Sequence, residues 1–390
     1  MTSIPRLSGY VPGKAAFSVS LVLKWLVGGL ISIAAIWSIT AVFTNNIWIE
    51  EWSPELRRNI LEPGTVLRER EEGWADSIVG RFGLIGSAEG EIDESPKVAI
   101  WGDSFVEAVN VADSAKMQRQ LTELLRHDLG GVAVGIGERF ASFADHRFRI
   151  PIYESALGGV RLHVLHLYSL EDTLPDLYRG ARISLFLSEP DLHLEKYDNE
   201  YQEREAPVEP SRLRTNLSKL HLQFFLYLRT RLASIARFEE LRFAPGVYRK
   251  ETPEGLHRAW NRLLEPEWAS EEAPEKAWNF LLDEIRSSTQ LPILIVYSPA
   301  TPALEHGQVI LKNSEKSLAT RFGELCEEKK IGFISLEESF LHFWNETGRF
   351  PKGFQNSRPW EGHFNDDGHR LVAEAIHSWI LENRHVVYPD

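Results

Sequence analysis

Two short segments near opposite ends of the main part of the chain constrain its fold most. The first, Val98-Ala-Ile-Trp-Gly-Asp-Ser-Phe105, is an apolar run that breaks at Gly102 and places Ser104 directly after a predicted strand. The second, His363-Phe-Asn-Asp-Asp-Gly-His369, brings a histidine immediately before a predicted helix. A serine hydroxyl is a weak nucleophile until a base takes its proton, so a strand-end Ser and a distant His are the pairing that acyl transfer requires. The two segments therefore predict a fold that brings Ser104 and His363 together.

Short apolar runs alternate with helical patterns from Val98 onward, which is typical of an α/β sheet with crossover helices. We predict strands at 98–101, 150–154, 183–187, 292–297 and 331–336, and a last helix over about 366–382. Ligands bind at the carboxyl ends of the strands in open sheets of this class. Since Ser104, Gly159 and Asp191 follow the first three predicted strands, we expect them to meet His363 at one edge of the sheet.

The two segments together resemble the SGNH (GDSL) hydrolase superfamily, which opens with Gly-Asp-Ser and closes with an acid, a His and often an Asn two residues later. Gly102-Asp-Ser104 and His363-Phe-Asn365 fit these blocks over about residues 78–385, interrupted by a predicted helical insertion at about 192–290. Within the superfamily the chain resembles membrane-anchored alginate O-acetyltransferase-like proteins. The resemblance implies an SGNH-like (flavodoxin-like) parallel sheet flanked by helices, with Ser104 as nucleophile and His363 as general base.

A second histidine competes for the role of base, because Asp366-Asp-Gly-His369 is a literal Asp-x-x-His. The family places its catalytic His before an apolar or Pro residue and an Asn, with Gly-His opening the helix several residues later. His363-Phe-Asn365 and Gly368-His369 fit both slots. We therefore favour His363 as the base, Asn365 as the helix cap and His369 as a structural residue.

The remaining site residues follow from the resemblance less directly. Trp360 stands where the family commonly has its acid, and Glu361 resembles the acid of the Asp-x-His variant in alginate O-acetyltransferase-like relatives. The alternative is a solvated Glu361 beside a Ser–His dyad. The oxyanion donors implied are the backbone amide of Ser104 and Gly159, while Pro190 occupies the slot of the family's Asn and has no donor.

The first fifty residues differ in character from the rest of the chain. Trp25 to Phe43 is a run of nineteen residues without a charge, close to the ~20 residues that cross a bilayer core. We predict a cytoplasmic N-terminal segment at 1–17, a transmembrane helix at 18–44, a tether and lead-in to the domain at 45–95 and the α/β domain at 96–390. A cleaved signal peptide is the alternative to the helix.

Charges on either side of the apolar run predict its orientation. Arg6, Lys14 and Lys24 precede it, and Glu50 and Glu51 follow it. Because cationic flanks stay in the cytoplasm, we expect a single-pass protein of the bacterial inner membrane with its large domain in the periplasm.

Composition narrows the function further. A net charge of −13 without a long basic run argues against nucleic acid as a partner, and the single Cys326 allows no internal disulfide. No motif for a metal or an organic cofactor is present in the sequence. Three hypotheses stay open: a serine-dependent O-acyltransferase acting on glycan beside a multipass membrane O-acyltransferase, an esterase that uses water as acceptor, and a catalytically reduced module that binds glycan.

Overall fold

The structure is a computed structural model, and it describes residues 19–46, 48–87, 89–139, 141, 143–170, 272–305 and 307–388. Its α-helices are α1 (Val19–Phe43), α2 (Glu89–Asp93), α3 (Ser104–Glu107), α4 (Met117–Asp128), α5 (His146–Leu157), α6 (Glu272–Ser287), α7 (Lys316–Glu328), α8 (Glu337–Thr347), α9 (Asp366–Glu382) and α10 (Arg384–Val387). Its strands are β1 (Glu50–Ser53), β2 (Arg58–Leu61), β3 (Val66–Glu69), β4 (Ala75–Ile78), β5 (Lys97–Gly102), β6 (Val132–Gly137), β7 (Val160–Leu167), β8 (Ile293–Tyr297), β9 (Ala303–Glu305), β10 (Gln308–Ile310) and β11 (Gly332–Ser335). Single 3₁₀ turns lie at Arg81–Gly83, Asp113–Ala115 and Phe143–Asp145.

Five parallel strands form the central sheet, in the spatial order β6-β5-β7-β8-β11. Apolar side chains of α5, α6 and α7 pack on one face of the sheet, and those of α4, α8 and α9 pack on the other. Strands β5 and β8 are buried at every position, as expected when helices cover both faces. In this sheet β5, the first strand in chain order, lies between β6 and β7, which is the flavodoxin-like order. The predicted α/β fold class is confirmed.

The sequence predicted some elements correctly and others wrongly. The strands at 98–101, 292–297 and 331–336 and the last helix correspond to β5, β8, β11 and α9. The strand predicted at 150–154 is wrong, because these residues lie inside helix α5. A short apolar run fits a buried strand and a buried helical turn equally well, and periodicity alone does not separate them. The prediction also contained neither β6 nor β7.

Several expectations lie outside the described residues. They are the strand at 183–187, Pro190, Asp191 and most of the insertion at 192–290. Within the described part of that insertion, helix α6 packs Trp278, Leu281 and Ile285 into the core on one face of the sheet.

The segment predicted at 45–95 as a tether and lead-in to the domain contains two hairpins, so regular structure begins earlier in it than the sequence pattern indicated. Strands β1 and β2 form one antiparallel hairpin, and β3 and β4 form another. The first hairpin contributes Leu56 and Ile60 to the core of the domain, and Leu67 of the second packs with Val79, Ile85 and Val109. Strands of four residues are too short to show a sustained period, so the sequence pattern does not reveal them.

Helix α1 differs from every other described helix in what it exposes. It has 25 residues, a length of about 38 Å, and most of its large apolar side chains face outward. Residues Ser20–Phe43 are long and apolar enough to cross a membrane. Asn45 and Asn46 follow α1, and their Oδ1 atoms accept the backbone N–H groups of Arg70 at 2.6 Å and Arg68 at 2.7 Å.

Candidate active site

Ser104 stands at the carboxyl end of β5, as the first residue of the short helix α3. Asp103 caps this helix, and its Oδ1 accepts a hydrogen bond from the backbone N–H of Phe105 at 2.9 Å. The turn requires Gly102, because a Cβ there would lie 2.5 Å from a methyl carbon of Val106. The Gly-Asp-Ser sequence therefore folds into a tight strand-to-helix turn that exposes the serine at the edge of the sheet.

His363 is held by a short antiparallel bridge just before α9. Lys352 pairs with Phe364, and the backbone N–H of Gly353 donates to the carbonyl of His363 at 2.8 Å. Asn365 caps α9 as expected, its Oδ1 accepting from the N–H groups of Asp367 at 3.1 Å and Gly368 at 3.2 Å. The next residue, Phe364, is fully buried and anchors the backbone at His363.

The expected contact between Ser104 and His363 is present. Nε2 of His363 lies 2.8 Å from Oγ of Ser104. On the other side of the ring, Nδ1 lies 2.7 Å from Oε2 of Glu72, whose Oε1 also accepts the backbone N–H of His363 at 2.7 Å. Ser104, His363 and Glu72 thus form one continuous chain of hydrogen bonds. His369 does not take part, because it is 1% exposed inside α9 and packs edge-on against Phe364.

The structure contradicts the prediction of Glu361 as the acid. Its side chain is 57% exposed, and its carboxylate pairs with Arg358 at 2.6 Å. Gly362 explains the difference, because it adopts φ +95°, which turns the chain between Glu361 and His363. A Cβ at residue 362 would lie 2.1 Å from Oε1 of Glu72, so the glycine makes room for the carboxylate that does reach the imidazole.

The surroundings of His363 raise its pKa. Burial opposes the imidazolium, but the hydrogen bond and the negative charge of Glu72 outweigh burial and raise the pKa of His363 above 6.5. Burial also disfavours the carboxylate of Glu72, yet its contacts with His363 lower the pKa of Glu72. A carboxylate that stabilises the imidazolium is what a general base needs when it removes a serine proton.

This arrangement predicts a specific pH dependence. The base must be neutral to accept the serine proton, so kcat/KM of the free enzyme should rise with pH along a limb whose midpoint lies above 6.5. In Glu72→Gln the imidazole loses the anionic partner, and the midpoint should move to lower pH. Hydrolysis of an activated acetyl ester across the pH range measures both. A midpoint that Glu72→Gln leaves in place would show that Glu72 does not act on His363.

Gly159 does not lie near Ser104, at the carboxyl ends of the strands. Its carbonyl accepts the backbone N–H of Lys97 at 2.9 Å, at the start of β5, and a Cβ on it would lie 2.3 Å from Oγ of Ser95. Gly159 therefore lies at the amino ends of the strands, whereas Ser104 lies at their carboxyl ends. Its assignment as an oxyanion donor is wrong. The cause is the misassigned strand, because Gly158 and Gly159 end a helix and lead into β7.

Arg139, which was not predicted as a site residue, does lie at the carboxyl ends of the strands, in the same cavity as Ser104. It follows β6, its Nε donates to Oε2 of Glu107 at 2.9 Å, and its Cζ lies 3.5 Å from the ring centre of Trp48. Together with Ser104, His363 and Glu72 it lines a cavity of about 310 Å³, which Glu69, Glu71, Val109 and Asn110 complete. Because β6 was not predicted, no sequence signal placed residue 139 beside residue 104.

Comparisons with known proteins give only a distant likeness in fold. No family model and no curated protein matches the chain. A catalytic mutant of Axe2, an acetylxylan esterase from Geobacillus stearothermophilus, is 12% identical with a TM-score of 0.36, over 74% of this chain and 96% of that one. The acetyl xylan esterase AlAXEase is 13% identical with a TM-score of 0.35, over 73% of this chain and 99% of that one.

Proposed function

We propose that this protein is a membrane-anchored, extracytoplasmic serine-dependent O-acyltransferase of the SGNH type, acting on glycan. The observation that carries the proposal is the chain of hydrogen bonds from Glu72 through His363 to Ser104 at the carboxyl edge of the sheet. It supports a two-step reaction. Ser104 attacks an acyl carbonyl while His363 takes its proton, and the leaving group departs with that proton. A sugar hydroxyl then attacks the acyl-serine and gives its proton to His363, the bond between the acyl carbon and Oγ of Ser104 breaks, and Oγ takes that proton from His363.

The walls of the cavity support a polar acceptor. Glu69, Glu71 and Asn110 surround the reacting groups, and these side chains offer hydrogen-bond partners to a hydroxyl-rich molecule. Arg139 supplies positive charge in the same cavity as Ser104. We assign Arg139, with the backbone amide of Ser104, to the oxyanion that develops on the acyl carbonyl, the role for which Gly159 and Pro190 are unsuited.

Replacement of Arg139 tests this assignment. Arg139→Gln should lower kcat for an activated acetyl ester by roughly 10²–10³-fold with little change in KM, because the charge acts on the transition state. Arg139→Lys should recover part of the loss. Arg321→Gln is the matched control, since Arg321 on α7 pairs with Glu275 on α6 and with Glu324 on its own helix. An Arg139→Gln enzyme with wild-type kcat would remove Arg139 from the chemistry.

Helix α1 supports action at a membrane. Its apolar surface and the cationic residues before it favour a single span with the catalytic domain outside the cytoplasm. A multipass O-acyltransferase in the same membrane is then the proposed source of acyl groups, as the resemblance to alginate O-acetyltransferase-like proteins implies. One helix by itself cannot form a route for a donor across the bilayer.

The esterase alternative differs only in the second step, in which water rather than a sugar hydroxyl would take the acyl group from Ser104. Full-length protein in lipid nanodiscs, given an activated acetyl ester with and without an oligosaccharide, separates the two. Transfer predicts acetylated oligosaccharide and less free acetate when the glycan is present. Release of free acetate that the glycan leaves unchanged would establish the esterase. A folded protein whose Ser104 fails to react with a fluorophosphonate would favour the glycan-binding module.

A further inference from the structure

The acid Glu72 lies on a turn that the end of the membrane helix holds in place. Residues 69–73 run from the last residue of β3 towards β4, and we call this segment the acid turn. The carboxylate of Glu69 folds over it, with Oε1 accepting the backbone N–H groups of Arg70 at 3.0 Å, Glu71 at 2.8 Å and Glu72 at 3.3 Å. The geometry of Glu72 therefore depends on where the side chain of Glu69 is fixed.

Asn45, in the segment that leaves α1, fixes the side chain of Glu69. Its Nδ2 donates to Oε1 of Glu69 at 3.1 Å, and its Oδ1 accepts the backbone N–H of Arg70 at 2.6 Å. The side chain of Arg70 returns to the helix itself, because its Nε donates to the carbonyl of Val42 at 2.9 Å. Arg70 and Glu72 are two positions apart, so the acid lies within about 7 Å of chain from this contact.

The domain holds the other side of the acid turn. Nδ2 of Asn110 donates to the carbonyl of Glu72 at 2.8 Å. Asn356 accepts the N–H of Gly73 at 2.9 Å and donates to the carbonyl of the same residue at 2.7 Å. The acid turn is thus held between the domain and the segment that leaves the membrane helix, and neither partner alone makes all of its contacts.

We propose that Asn45, which follows the membrane helix, is a positioning residue for Glu72. The inference rests on the proposed function, because it assigns Asn45 a role in the same acyl transfer. Its consequence is that the reacting groups stay close to the membrane face, where a membrane-held donor presents its acyl group. Loss of the contact should let Glu72 move away from His363 without touching either reacting residue.

Full-length Asn45→Ala in nanodiscs tests the proposal. Its kcat for an activated acetyl ester should fall roughly 10- to 100-fold while KM changes little, because a small displacement of a catalytic group costs about this much. Thr44→Ala is the matched control, since the hydroxyl of Thr44 donates to the carbonyl of Thr40 within the helix end at 2.7 Å and should leave kcat unchanged. Wild-type kcat in Asn45→Ala would overturn the proposal.

Titration of His363 gives a readout that a merely structural role would not move. The charged groups that act on His363 are Glu72, Asp103 and Arg139, and of these only Glu72 lies on the acid turn. In Asn45→Ala the pKa of His363, followed by NMR of isotopically labelled histidine, should fall. This measurement needs no turnover, so it decides the role of Asn45 even if the wild-type protein transfers no acyl group. An unchanged titration would overturn the proposal.

A charge exchange guards against a variant that only destabilises the fold. Asn45→Asp places a second carboxylate against that of Glu69 and should lose more activity than Asn45→Ala. Adding Glu69→Gln removes the repulsion between the two carboxylates, while Oε1 of residue 69 still accepts from the three backbone N–H groups. The double variant should recover part of kcat and part of the pKa of His363. A double variant that is as impaired as Asn45→Asp would contradict the proposed contact.

Discussion

Replacing Ser104 by alanine is expected to lower acyl turnover by about 10⁵–10⁶-fold, because nucleophile and base act as one unit and the remaining groups only bind and polarise the ester. His363→Ala should cost a similar factor. The double variant should be little worse than either single one, since the second substitution removes a group that no longer has a partner. Steady-state hydrolysis of an activated acetyl ester measures all three. Losses that multiply in the double variant would show that the two residues act independently.

The chain contains a matched control for Ser104 in a second Ser–His pair. Oγ of Ser298 lies 2.9 Å from Nε2 of His166, but both residues are buried, with exposures of 0% and 4%. Ser298→Ala should therefore keep its reaction with a fluorophosphonate, whereas Ser104→Ala should lose it. If Ser298→Ala lost the label and Ser104→Ala kept it, Ser298 rather than Ser104 would be the nucleophile.

Replacing Glu72 by glutamine is expected to lower kcat by about 10⁴-fold. The amide preserves the size of the side chain, but it no longer stabilises the imidazolium, and it can hold the ring in the wrong tautomer. The free energy of unfolding should change far less than the activation free energy, because the acid turn keeps its contacts with Asn45, Asn110 and Asn356. Steady-state kinetics and thermal unfolding of the same preparation separate the two effects.

Glu361→Gln is the control that distinguishes the structure from the sequence prediction. Glu361 pairs with Arg358 at the surface and does not contact His363 in the structure, so its replacement should leave kcat unchanged. A loss with Glu361→Gln as large as that with Glu72→Gln would mean that the sequence prediction was right and that the geometry described here is not the active one.

The sequence predicted those parts of the site that local patterns determine. The turn at Gly102-Asp103-Ser104 and the Asn365 cap beside His363 are each set by residues adjacent in the chain, and both segments have the predicted form. The acid was beyond reach, because Glu72 meets His363 across 291 positions and lies on a turn between two short strands. Nothing in the composition of 69–73 separates a catalytic carboxylate from a solvated one.

The same reasoning explains the two errors around the oxyanion site. Ile150–Tyr153 is apolar enough for a strand but lies in α5, so Gly159 moved to the wrong edge in the prediction. The true second strand, β6, alternates valine and isoleucine with alanine and glycine, a weak strand signal. Arg139 follows that strand and therefore escaped notice. One wrongly assigned strand thus led the prediction to Gly159, at the amino ends of the strands, and away from Arg139, which lines the cavity.

The central claim is that an acyl group passes through Ser104, and trapping the acyl-enzyme tests it most directly. Full-length protein in nanodiscs would be quenched with acid shortly after mixing with an activated acetyl ester, digested, and mapped by mass spectrometry. Our account predicts one acetyl group on Ser104, absent in Ser104→Ala, present at the same site in Ser298→Ala, and lost when an acceptor oligosaccharide is added before the quench. Ester turnover that proceeds at the wild-type rate in Ser104→Ala, or an acetyl group carried by another residue, would contradict it.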